Sequence, residues 1–350
     1  MSVYFPKQRQ AGFRLAVIAT LLSIVVLLLG VFTRLTDAGL SCPDWPGCYG
    51  HFSWFAEPDI DVRAEQLYPA SQIEQQKTTV DMIHRYTAGV LGVLAIALAV
   101  ISWLRREDEA YPFRLPTFIL FLVVWQSLFG MWSVTLKLWP QIVTLHLLTG
   151  MVTCSLLWLL TLRLSGREWR LSSEVMDRLG SVKSWLLAVI TVTMLQILLG
   201  GWTSANYAAF ACIEFPTCQG EWWPDMDFKN GFNLMQTIGP NYLGGKLESE
   251  ARVAIHVIHR LGGLILALLV IGFAVRLFAI KSTQFRCMAL ITLAVLALQI
   301  TLGVSNIFLM SPLLMALMHH LASILLLLVL VTLAARTWTA RTDTGVRHDK

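Results

Sequence analysis

Four histidines stand inside long apolar runs: His84, His146, His259 and His319. Ionisable residues in such surroundings are costly, and their default reading is functional. Each run brings a single histidine of this kind, without the clustered ligand set of a structural zinc site. Two imidazoles on facing helices instead suit a flat iron macrocycle gripped from both sides, as in six-coordinate heme. Asp81 precedes His84 by three residues and shares its helix face, where a carboxylate orients an imidazole or moves a proton. His256 stands in the same relation to His259, as a partner behind a ligand. Arg85 and Arg260 directly follow the two histidines. A guanidinium there either takes a heme propionate in a charge-assisted pair or snorkels to the headgroups. Gln126 and Gln299 lie mid-run, where interhelical hydrogen bonding is the expected role. His320 turns about 100° away from His319 along a helix. His51 and His348, in a loop and the tail, carry no such signal.

The elements that must position these groups are membrane spans. Hydrophobic residues make up 56% of the 350 and charged residues 14%, against about 25% charged in soluble domains. Eight apolar runs are long enough to cross a bilayer: 13–32, 80–104, 115–136, 142–164, 185–202, 253–278, 287–310 and 313–335. The first has the wrong flanks for a cleaved signal peptide and counts as a span. Of the 27 basic residues, 18 gather on one side, from Lys7, Arg9 and Arg14 to Arg347 and Lys350. By the positive-inside rule both termini are cytoplasmic, and loops 34–79 and 204–252 face outward. This bias accounts for the net charge of +5 and leaves no patch for nucleic acid.

The chain repeats itself. Gly30, Thr33, Cys42 and Cys48 recur 170 positions later as Gly200, Thr203, Cys212 and Cys218. "DMIHRYTAG" at 81–89 recurs as "HVIHRLGG" at 256–263, and Gln126, Gly130 and His146 recur as Gln299, Gly303 and His319. The reading is an all-α polytopic membrane protein. Its eight transmembrane helices form two tandem four-helix bundles related by a pseudo-two-fold along the membrane normal. An even number of spans per half makes the repeat parallel, which disfavours an inverted-repeat transporter. The expected division is an N-terminal bundle at 1–165, a cytoplasmic linker at 166–184, a C-terminal bundle at 185–337 and a cytoplasmic tail at 338–350.

Taken together, "TRLTDAGLSCPDWPGC", "IHRYTAG", "TLHLLTG", "GGWTSANYAAFACIEFPTC", "IHRLGG" and "MHHLAS" resemble the heme A synthase family over nearly the whole chain. The resemblance implies oxidation of the C8 methyl of heme O to a formyl group, by two hydroxylations and loss of water. The product, heme A, serves cytochrome oxidase. It implies heme b as cofactor in the C-terminal half, with His259 and His319 on its iron, and heme O in the N-terminal half between His84 and His146. Asp81 takes the place of the family's catalytic glutamate, one methylene shorter. A bis-histidine iron has no open position for oxygen, so the cofactor heme passes electrons. The implied setting is a bacterial inner membrane. The implied partners are heme O synthase and cytochrome oxidase assembly factors, with an unnamed electron donor. A homo-oligomer is compatible with the sequence.

The four loop cysteines face an oxidising compartment in that setting. Cys42 with Cys48 and Cys212 with Cys218 read as one disulfide in each loop, turned by Pro46 and Pro216; zinc is the weaker alternative. Cys154 and Cys287 read as small buried hydrophobes. Two other functions use the same histidines: a di-heme b-type cytochrome taking electrons from quinol, and a heme transporter or chaperone.

Overall fold

A computed structural model describes residues 9–52, 66–68, 74–310 and 312–343. Lys7, Arg347, His348 and Lys350, and parts of the first outer loop, lie outside the described residues. Among these residues eight helices are long and apolar enough to span a membrane. They are α1 (Phe13–Leu35), α2 (Gln75–Leu104), α3 (Arg114–Thr135), α4 (Pro140–Leu164), α5 (Ser173–Ala205), α6 (Ser249–Phe278), α7 (Thr283–Phe308) and α8 (Leu313–Trp338). The protein is an all-α multi-pass membrane protein.

Each set of four closes into a ring. In the first half α1 packs on α2, α2 on α3, α3 on α4 and α4 back on α1; α5 to α8 repeat the pattern. The halves meet through α4 on α5, α1 on α8 and α4 on α8. Exchanging the halves maps this list of pairs onto itself, as a pseudo-two-fold requires. Proline opens the two histidine helices that follow short turns: Pro140 is the first residue of α4, and Pro312 caps α8. Neither position needs the amide hydrogen that proline lacks.

Helix α5 begins at Ser173, twelve residues before the expected span, inside the stretch read as a linker. Its early turns carry charge, including the Glu174–Arg178 pair, so the apolar run is interrupted there. Yet Val175, Leu179, Val182, Leu186 and Val189 recur at helical spacing and are all buried, in a core shared with Phe273, Phe285 and Leu330. Residues 170–171 then pair in parallel with 341–342, joining the connection between the halves to the last described residues. The Glu168–Arg341 ion pair, 2.8 Å, closes the same corner.

Each outer cysteine loop holds an internal disulfide, Cys42–Cys48 and Cys212–Cys218. The acid at the same place in each loop folds it. Asp44 accepts from the amides of Tyr49 and Gly50, and Glu214 accepts from that of Gly220. Cys154 is buried as expected, but Cys287 is exposed. It lies near the start of α7.

Candidate functional site

The glycines that recur with the histidines acquire a purpose in the packing. A Cβ on Gly30 of α1 would lie 3.0 Å from Cε1 of His84 on α2, and one on Gly200 of α5 would lie 3.3 Å from Cε1 of His259 on α6. Gly130 of α3 faces His146 on α4 in the same way, at 3.6 Å, and Gly303 of α7 faces His319 on α8, at 3.0 Å. Each imidazole thus rests on bare backbone of the neighbouring helix. The repeat preserves the pair rather than the histidine alone.

Glutamines fix the rings. Gln299 donates to Nε2 of His319 at 3.2 Å and to the hydroxyl of Ser323, while His319 Nδ1 lies 3.2 Å from the Gln299 carbonyl. In the first half Gln126 meets Thr149 and, with its amide nitrogen toward the ring, donates to Nε2 of His146 at 3.1 Å. Interhelical hydrogen bonding by these two glutamines is as expected. Gln196 lies 3.1 Å from Nδ1 of His259 and donates to the His259 carbonyl. The repeat does not point to residue 196, because its counterpart in the first half is Val26.

His84 and His146 line one cavity of about 910 Å³, together with Asp81, Arg85 and Gln126. This is at the upper end for sites that hold a small molecule, about 300–1,000 Å³. Trp45 and Pro46 of the disulfide loop close its outer side. One wall comes from the second half, where Gly201, Ser204 and His320 reach in. The sequence places His320 away from His319; only the packing of α8 on α1 reveals that this direction is the other half's cavity. Among the described residues no three histidine, cysteine or acidic side chains converge as a metal site.

Asp81 and Arg85 form a buried ion pair at 2.8 Å. Arg85 also donates to the carbonyls of Asp44 and Gly47, tying α2 to the first cysteine loop. Arg260 does the same in the second half, donating to the carbonyls of Thr217 and Cys212 at 3.0 Å each. Among the described residues its Nε–H is buried without a hydrogen-bond partner, a donor beside His259. His256, at the position of Asp81, accepts from the Cys212 amide at 3.3 Å. It therefore holds the loop rather than standing behind His259.

Arg34 and Asp37 also line the cavity and sit at the seam between halves. Arg34 stacks 3.8 Å above the Tyr207 ring and donates to the Ser204 carbonyl. The Tyr207 hydroxyl donates to Asp37 at 2.7 Å. Burial raises the Tyr207 phenol above its usual range, so near neutrality it keeps the proton it donates.

Comparison with known proteins agrees with this geometry. The COX15-CtaA family, described as cytochrome oxidase assembly protein, matches residues 13–331. The chain belongs to this family. A heme A synthase of Shewanella oneidensis is 41% identical over 94% of this chain and 97% of its own length. Those of Maricaulis maris, 26% identical over 96% and 97%, and Halalkalibacterium halodurans, 25% over 88% and 91%, are similar along most of their lengths.

Proposed function

We propose that this chain is a heme A synthase, oxidising the C8 methyl of heme O to a formyl group. The observation that carries the reading is the first-half cavity, which gathers two imidazoles and a buried carboxylate in a space sized for a macrocycle. In this reading residues 1–165 hold the substrate and residues 185–337 hold a heme b cofactor between His259 and His319. The second half offers that group two imidazoles resting on glycines and the Arg260 Nε–H as a donor for a carboxylate, and His319 would give up its Nε2 contact with the Gln299 amide to hold the iron. The bound cofactor supplies one-electron redox chemistry.

The chain's own groups then divide the work. His84 and His146 grip the substrate, with Gly30 and Gly130 setting how close the helices come. Asp81 holds or passes a proton at its carboxylate, fixed in place by Arg85 on one side. The disulfide loop, through Trp45 and Pro46, roofs the cavity and keeps water from the reacting edge. Arg85 and Arg260 serve first as ties to the loops, and their remaining donors face propionates.

Both termini are assigned to the cytoplasmic side of a bacterial inner membrane, supported by the basic bias of the loops and the even number of spans. Heme O synthase is the expected supplier and cytochrome oxidase assembly the expected destination. Expression together with a heme O synthase, followed by heme extraction and chromatography, tests the activity. Heme A beside heme b is the expected yield. Two hemes b would indicate a quinol-linked cytochrome, and unchanged heme O a carrier; either result overturns the proposal.

A further inference from the structure

The cavity does not end at the histidines. It runs inward along α2 past Gly89, Gly92 and Val93 to Ile96, with Val123 of α3 opposite. A second groove of about 290 Å³ begins at the same Ile96 and continues past Ala99 and Trp103, with Leu120 opposite. The α2 residues from 89 to 103 span about 21 Å, and their lining is apolar. Glycine keeps the slot open: a Cβ on Gly89 would meet nothing within 4 Å, and one on Gly92 only Val123, at 4.0 Å. Val93 and Ile96 line the cavity and are also 65% and 52% exposed, so the slot opens sideways toward the surrounding lipid. The second half differs at the repeat-equivalent places: Leu264 stands for Gly89, and Ala267 for Gly92, the latter buried in a packed core.

We infer that the α2–α3 slot is the subsite for the farnesyl chain of heme O and the side door by which the substrate enters from the membrane. This rests on the proposed reading of the first half. A chain that leaves lipid for protein gains little from dehydration, because lipid tails are equally apolar. Selectivity must therefore come from packing in a slot of fitting length, which a heme without the tail leaves empty. The second half, closed at Ala267 in its packed core, has no need to distinguish the two.

The test uses full-length protein carrying its resident heme, titrated with heme O or heme B and followed by absorbance. Wild type should bind heme O at least about tenfold tighter than heme B, since a single methylene in a pocket is worth that much. Ile96→Trp should bring the two affinities together without altering the resident heme's spectrum. Gly89→Leu, copying the second half, should do the same if the tryptophan disturbs folding. An unchanged preference for heme O in both variants would overturn the inference and leave the slot to lipid. A titration signal that His84→Ala does not alter would instead overturn the first-half reading, and the tail subsite with it.

Discussion

A methyl group on Gly303 would stand 3.0 Å from Cε1 of His319, tighter than helices tolerate without moving. The ring cannot turn aside freely, because Gln299 engages both its nitrogens. Gly303→Ala is therefore expected to cost about 1–3 kcal/mol, the usual range for overpacking, and to weaken retention of the second-half heme. Thermal unfolding and heme content measured together check this. Gly130→Ala should cost less, because its Cβ would find 3.6 Å to His146. The histidines themselves divide by half. His259→Ala or His319→Ala is expected to remove the b-type absorbance of the purified protein. His84→Ala should keep that absorbance and stop heme A formation. Full heme content in both second-half variants would contradict the assignment of the halves. At this scale the sequence displayed the four histidines, their companion glycines and the cysteine pairs. It did not display His320 or Arg34 as cavity residues, because a side chain's direction matters only once the neighbouring helix is known.

Helix α2 and the first cysteine loop act as one element, because Arg85 reaches both Asp81 and the loop carbonyls. Arg85→Met strands a buried carboxylate, and breaking such a pair on one side costs about 3–5 kcal/mol. The expected outcome is a large fall in unfolding temperature, with much of it recovered in the Asp81→Asn, Arg85→Met double variant. A double variant no better than the single would place the loss in the loop contacts rather than the stranded charge. The element boundaries show what hydropathy can and cannot reveal. All eight spans were legible as apolar runs, since the lipid core demands them. The first three turns of α5 were not, because Glu174, Asp177 and Arg178 break the run while Val175, Leu179 and Val182 keep the helical period. There the buried face argues for a helix and mean polarity argues against it, and packing decides.

On the scale of the whole molecule, the halves are joined by more than the chain that connects them. The second outer loop crosses to the first half, where the Tyr242 amide donates to the Lys137 carbonyl and Trp139 donates to that of Gln236. Deeper down, Trp158 of α4 donates to Thr332 of α8 at 2.7 Å. Reporter fusions test the overall orientation. A periplasm-dependent reporter should be silent at the C-terminus and active when inserted near residue 240, and the reverse pattern would contradict the assigned sidedness. The contacts at the seam have a further consequence. Arg34 touches Ser204, and Asp37 touches Tyr207; each pair is one repeat position meeting its own counterpart, 170 residues on. In a dimer of one unfused four-helix unit, every residue on the axis would face an identical copy, arginine against arginine and aspartate against aspartate. Fusion into a single chain releases those positions from self-complementarity. One copy can then be the cation and the other the carbonyl that holds it, and the two bundles are free to take different tenants.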